Sequence, residues 1–198
     1  MSDRWNGIIW EGVYKSWSDA SKSASSPGFD SGRWLNVSKA KLLEFRKKTA
    51  DYTCVSPTSN RDCTLPKVFS TAQCFDKNFK TILDFGGGFG THYELIKHCL
   101  KEETNIEYHV IETEKNVEEA VKWSDSEVRF HSEINSSIKP DICYSNSVLQ
   151  YMADWKDVIK KFVALEPKLI LLDDFPGGDI QEFVSIQNYY EHKMPCWF

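Results

Sequence analysis

The six cysteines (Cys54, Cys63, Cys74, Cys99, Cys143 and Cys196) include no pair at C-x-x-C spacing, so neither a zinc ribbon nor a thioredoxin-type site is expected. His98, His109, His131 and His192 show no ligand spacing either, and no metal is expected. No apolar run approaches the roughly 20 residues that cross a bilayer, so no membrane span is expected. The opening Met1-Ser2-Asp3-Arg4-Trp5 lacks an apolar signal core, which makes the cytoplasm the expected location. An excess of positive charge is also missing: 24 Lys and Arg stand against 29 Asp and Glu, a net charge of −5. General nucleic-acid binders are usually basic, so nucleic acid is not an expected partner. No G-K-[ST] follows the glycine cluster at 86–90, which excludes a P-loop.

The 198 residues are 41% hydrophobic and 27% charged, the composition of one globular domain with room for a short extension. Residues 1–78 are aromatic and loop-rich. Trp5, Trp10, Tyr14, Trp17, Phe29 and Trp34 read as packing groups that cover a neighbouring surface. Ser16 to Ser31, with Pro27, reads as turns. A helix is expected after an Asn36 or Ser38 cap, with Val37, Ala40, Lys41, Leu42, Leu43, Phe45 and Lys47 at helical spacing to about Ala50. Pro57, Pro66 and the residues between them read as loop. Cys143 and Cys99 read as small buried hydrophobes. Cys54, Cys63 and Cys74 fall in the loop-rich stretch with no assigned role.

From about residue 79 the chain alternates strand and helix. Strands are expected at 81–85, 108–111, 128–130, 141–144 and 168–172. Helices are expected at about Thr91–Lys101, around Val117, Ala120 and Val121, and after an Asp154 cap with Trp155, Val158, Ile159, Phe162 and Val163. Such alternation means right-handed crossovers and a parallel sheet with helices on both faces, in the order 3-2-1-4-5. The expectation is therefore an α/β, Rossmann-like domain over 79–198, with 1–78 as an N-terminal extension packed on it.

The glycine cluster Asp84-Phe85-Gly86-Gly87-Gly88-Phe89-Gly90 follows the first strand and opens a helix. Glycines there let backbone approach a ligand, and the helix N-terminus attracts negative charge. The alternative is a tight strand-to-helix turn with no ligand. Glu112 ends the second strand, where an acid can accept hydrogen bonds from both hydroxyls of a ribose. As a loop acid it is expected to carry little packing. A dinucleotide loop wants G-x-G-x-x-G, but the sixth position counted from Gly86 is Thr91.

The loop instead reads D-x-G-x-G-x-G, and it resembles motif I of the class I S-adenosylmethionine-dependent methyltransferases. Asp141 to Ser147 looks like that class's fourth strand and reaction-side loop, and Val148 to Trp155 is similar to the segment after it. N-P-P-[FY] is absent, which makes the amino-methylating nucleic-acid and glutamine enzymes a poor match. Trp10 to Trp17, Gly28 to Ser31, Phe183 to Gln187 and Pro195 to Phe198 resemble signatures of a bacterial family of putative methyltransferases associated with surface-polysaccharide loci. The resemblance implies S-adenosylmethionine as cofactor, bound by Asp84, Phe85, Gly86, Gly88, Gly90, Glu112 and Thr113, with Gly86 and Gly88 at its methionine part and Glu112 at the ribose. It implies Ser132 and Glu133 near the adenine and Asn146 beside the sulfonium. It implies methyl transfer to a small-molecule or sugar-like acceptor, at oxygen, with His92, Asp173 and Asp174 as candidate bases. A non-catalytic cofactor-binding or interaction module and an NAD-binding enzyme are the alternatives.

That class adds a helix and an antiparallel hairpin after the fifth strand. Residues 175–198 are too few for a helix and two strands of normal size, so the last two strands are expected to be missing. The fifth strand is then exposed or covered by residues 179–191, and an open edge favours homo-oligomeric pairing. Periodicity allows Phe183 to Gln187 as helix or strand.

Overall fold

A computed structural model describes residues 9–25, 29, 31–50, 64–100, 105–189 and 192–198. The readings placed on Trp5, Pro27, Gly28, Asp30, Cys54, Pro57 and Cys63 lie outside these residues. Two sheets organise them. The larger holds β2 (Thr81–Phe85), β3 (Glu107–Ile111), β4 (Val128–His131), β5 (Ile142–Asn146) and β6 (Leu169–Asp173), all parallel, in the order β4-β3-β2-β5-β6. This is the expected 3-2-1-4-5 arrangement.

Both faces of the central strands are buried, which is why they read as continuous apolar runs rather than alternating ones. Ile82, Tyr108, Val110, Ile142 and Tyr144 form one core with Leu65 and Phe69 of α3 (Thr64–Phe75) and Ile96 of α4 (Thr91–Leu100). Leu83, Ile111 and Cys143 form the other with Val158 and Phe162 of α6 (Trp155–Ala164), whose N-cap Asp154 accepts from the Asp157 amide. The amino end of the sheet is closed by Asp141. Its Oδ2 accepts from the Lys80 and Thr81 amides at 2.8 and 2.9 Å, and its Oδ1 meets Lys168 Nζ at 2.9 Å. The carboxyl end carries the glycine turn.

Several local expectations are corrected. Residues around Pro66 are helical rather than loop. Pro66 sits in the first turn of α3, where its missing N–H has no intrahelical partner to lose, and Leu65, Phe69 and Ala72 repeat at helical spacing on the core. Cys74 is exposed on this helix, and Cys99 is exposed on α4 rather than buried, whereas Cys143 is buried. The helix α2 (Gly32–Ala50) starts before the expected caps: Ser31 Oγ accepts from the Trp34 amide at 3.1 Å, leaving Asn36 and Ser38 inside the helix.

The carboxyl-terminal expectation is corrected in part. Residues after Asp174 do build two strands, β7 (Val184–Tyr189) and β8 (His192–Trp197), and Phe183 to Gln187 is therefore not helical. No helix intervenes, which frees enough chain for a hairpin. The hairpin does not extend the parallel sheet. It joins β1 (Trp10–Tyr14) in an antiparallel sheet of order β1-β7-β8. Among the described residues no strand pairs with the outer edge of β6. The early aromatics cover this hairpin: Trp17, in α1 (Trp17–Ser21), stacks on Trp197 at 5.9 Å, and Trp10 meets Phe198 edge-on at 4.8 Å. No described helix is long and apolar enough to cross a membrane.

Candidate functional site

Three glycines of the turn adopt positive φ, at +75° for Gly86, +59° for Gly88 and +76° for Gly90. A Cβ at Gly86 would lie 2.4 Å from Val148 Cγ2, and one at Gly87 would lie 2.5 Å from Asp84 Oδ2. These two positions exclude side chains by the protein's own packing. Gly88 differs: a Cβ there would meet nothing within 4 Å, so its backbone faces open space.

That backbone is tied to the end of β3. The Gly88 amide donates to Glu112 Oε1 at 3.0 Å, while the Thr113 amide and Asn116 Nδ2 donate to Oε2 at 3.1 and 2.8 Å. Thr113 caps α5 (Glu114–Ala120) by accepting from the Asn116 amide, which sets the helix that carries Asn116. Glu112 is thus clamped and half-buried, not a loop acid with little packing. Burial raises its pKa above the usual carboxylate range, with the three donors opposing. Sequence reasoning missed Asn116, although its spacing of four from Glu112 is the signal that finds it.

Asp84 is 1% exposed on the α4 face of β2. Tyr108 Oη donates to its Oδ2 at 2.6 Å, and His92 Nδ1 lies 3.4 Å from the same oxygen. The His92 ring also meets Tyr144 edge-on at 5.2 Å. Tyr144 Oη accepts from Asn146 Nδ2 at 3.0 Å and donates to Asp173 Oδ2 at 3.4 Å. Burial, then the charge of Asp84, raises the pKa of both tyrosines, so each hydroxyl keeps its proton. Strand register builds this row: Asp84 lies beside Tyr144, and Asn146 beside Asp173. Side chains two apart share a face, so Asp84, Tyr144, Asn146 and Asp173 lie on one side at the carboxyl end. The two tyrosines escaped sequence reasoning because they look like ordinary core residues of a buried strand.

The other expected site residues are spread around this centre. The Phe85 ring packs on Phe162 at 5.9 Å, so only its backbone faces the turn. Ser132 and Glu133 are exposed after β4, next to His131, whose carbonyl accepts from the Glu112 amide at 3.0 Å. Asp174 is exposed at φ +50°. Of the three candidate bases, His92 and Asp173 are drawn into the row and Asp174 is not.

Beside the end of β4, His109 Nδ1 lies 2.9 Å from His131 Nε2, and His109 is 6% exposed. Burial, with the charges of His131 and Arg129, pushes His109 down to about 4, and burial lowers His131. Their unfolded values lie near 6.5. The unfolded chain therefore binds more protons between about pH 6.5 and 4, and stability falls as pH drops through that window. The full effect of His109 is about 3 kcal/mol at roughly 1.4 kcal/mol per unit. Urea midpoints at pH 7.5 and 5.0 are expected to show the loss, and His109→Gln is expected to reduce the difference. An equal pH dependence in the variant would remove the histidine pair as its source.

No family model matches the chain, and comparison with curated proteins gave no match. Comparison with solved structures gave methyltransferases. The chain is similar to a plantazolicin methyltransferase in complex with SAH (17% identity, TM-score 0.45), covering 69% of this chain and 56% of that one. It is similar to an amino pentose methyltransferase from Micromonospora echinaspora with bound SAM (16% identity, TM-score 0.44), covering 73% and 66%. It is also similar to a 1,6-didemethyltoxoflavin-N1-methyltransferase from Burkholderia thailandensis with S-adenosylhomocysteine (13% identity, TM-score 0.44), covering 86% and 73%. The chain thus spans little more than half the length of the first of these structures.

Proposed function

We propose that the chain transfers a methyl group from S-adenosylmethionine to a hydroxyl oxygen of a small, sugar-like acceptor. The observation that carries this reading is Gly88: an open, positive-φ backbone at the carboxyl end of the first parallel strand, held by the acid that ends the next. Cofactors of open parallel sheets bind at that end.

The residues present fit the cofactor. The backbone at Gly86 and Gly88 would take its methionine part. Glu112 would take a ribose hydroxyl on Oε1, since a carboxylate has about four acceptor positions and the three protein donors leave about one, on that oxygen. S-adenosylmethionine, when bound, supplies a methyl group on a positively charged sulfur that turns neutral as the methyl departs. The protein therefore has no new anion to stabilise on the donor side. Its work is alignment, which supplies much of a rate enhancement, and removal of the acceptor proton. Asp173 would serve that role. Tyr144 donates to its Oδ2, and its Oδ1 would take the proton of the acceptor hydroxyl. The resemblance of the flanking aromatics to a family associated with surface-polysaccharide loci favours a carbohydrate acceptor.

Calorimetry with S-adenosylhomocysteine, S-adenosylmethionine and NAD tests the reading. The two adenosyl compounds are expected to bind and NAD is not. Binding of NAD alone would overturn the proposal. Binding of S-adenosylhomocysteine without methyl transfer to any nucleotide-sugar or glycoside would leave a cofactor-binding module.

A further inference from the structure

The turn after β5 holds a buried acceptor atom that no described protein group uses. Gln150 is 4% exposed. Its Nε2 donates to Ser147 Oγ at 3.0 Å and to the Asp174 carbonyl at 3.4 Å. A carbonyl can only accept, so this pair fixes which way the amide lies. Oε1 is left buried with no donor among the described residues. Buried acceptors are almost always paired, and leaving one bare costs its full desolvation. The residues that fix this amide are themselves held in uncommon backbone: Ser147 at φ +55° and Asp174 at +50°, neither of them glycine. Strained backbone of this kind clusters at ligand sites.

The turn is part of the same end of the sheet as the glycine loop. Val148 is the side chain that Gly86 accommodates, and the Ser147 amide donates to the Asp173 carbonyl at 2.9 Å. Directly after Gln150 comes a run of half-buried rings from three parts of the chain. Tyr151 meets Phe29 at 5.0 Å, Phe29 meets Trp34 at 5.0 Å, and Trp34 meets Tyr189 at 6.1 Å. Tyr151 Oη is also hydrogen-bonded to Gln187 on β7, so the small sheet and the turn form one wall.

We propose that this turn and these rings form the acceptor subsite, and that Gln150 Oε1 receives a hydrogen bond from a hydroxyl of a pyranose ring whose C–H face lies on the aromatic wall. The inference rests on the methyl-transfer reading. A mostly apolar wall with one fixed polar atom is how small-molecule sites combine affinity with orientation. The apolar face of a sugar suits the rings, and its hydroxyls supply the missing donor. Gln150 touches the acceptor and not the cofactor, so its loss separates the two affinities.

The test uses the full chain saturated with S-adenosylhomocysteine and titrated with a panel of methyl pyranosides and nucleotide-sugars. At least one is expected to bind the parent. Gln150→Leu is expected to weaken that ligand about tenfold, the size of one hydrogen bond to a buried group. Trp34→Leu, which leaves the Gln150 amide in place, keeps the test decisive if Gln150→Leu does not fold, and it is expected to weaken the same ligand about as much. Both variants are expected to keep the parent's dissociation constant for S-adenosylhomocysteine within twofold. No pyranose ligand binding to the loaded parent, or equal binding to parent and variants, would overturn the acceptor subsite while leaving the cofactor reading intact. Failure of S-adenosylhomocysteine to bind the parent would instead overturn the reading beneath it.

Discussion

Glu112→Ala is expected to raise the dissociation constant for S-adenosylhomocysteine by about 10- to 150-fold. One hydrogen bond from a ribose hydroxyl to a charged acceptor amounts to about 1.5–3 kcal/mol, at about 1.4 kcal/mol per tenfold. The substitution acts on the empty protein too. It strips the acceptor from the Gly88 amide, the Thr113 amide and Asn116 Nδ2, and Asn116 is 2% exposed. A loss of about 1–3 kcal/mol follows, lowering the melting midpoint by about 2–12 °C for a chain of this size. Calorimetry well below both midpoints separates the two effects. Unchanged affinity would show that Glu112 serves only to close the glycine turn.

Gly86→Ala is expected to damage the fold more than any other single-methyl change in the turn. A non-glycine residue at φ +75° costs about 1–2 kcal/mol, and the new carbon would press on Val148 at 2.4 Å, adding about 1–3 kcal/mol of overpacking. The sum, about 2–5 kcal/mol, corresponds to a midpoint lowered by about 4–20 °C. Gly88→Val is the control. Nothing stands within 4 Å of its Cβ, so it is expected to lose little beyond the backbone strain and yet block cofactor binding. Differential scanning calorimetry with and without S-adenosylhomocysteine reads both. If Gly88→Val still binds S-adenosylhomocysteine as the parent does, the cofactor does not approach there.

The parallel sheet was legible because its signals are local. Each strand from Thr81 to Asp173 is a short apolar run, each helix between them repeats at 3.6, and the crossover rule supplies the order. The Asp154 cap was legible for the same reason: its partner amide is three residues away. The helix through Pro66 was not, because a proline reads as a breaker unless its place in the first turn is known. The pairing of β1 with β7 was not legible either. It joins Trp10 to Gln187, and no periodicity in either segment names a partner that far along the chain.

The site divides along the same line. Sequence alone determined the D-x-G-x-G-x-G turn, the acid at Glu112 and the positions of Asp173 and Asp174, since each is tied to the end of a strand that can be counted off; the roles of these residues, and His92 as a candidate base, come from the resemblance. Only the tertiary structure decided that Glu112 is clamped by Gly88 and Asn116, that Asp173 stands with Tyr144 and Asn146 while Asp174 is exposed, and that Gln150 keeps a buried oxygen without a partner among the described residues. The physical reason is that spacing along a chain reports which residues share an element. Burial and hydrogen-bond partners depend on which elements meet across the sheet, and that is settled by packing.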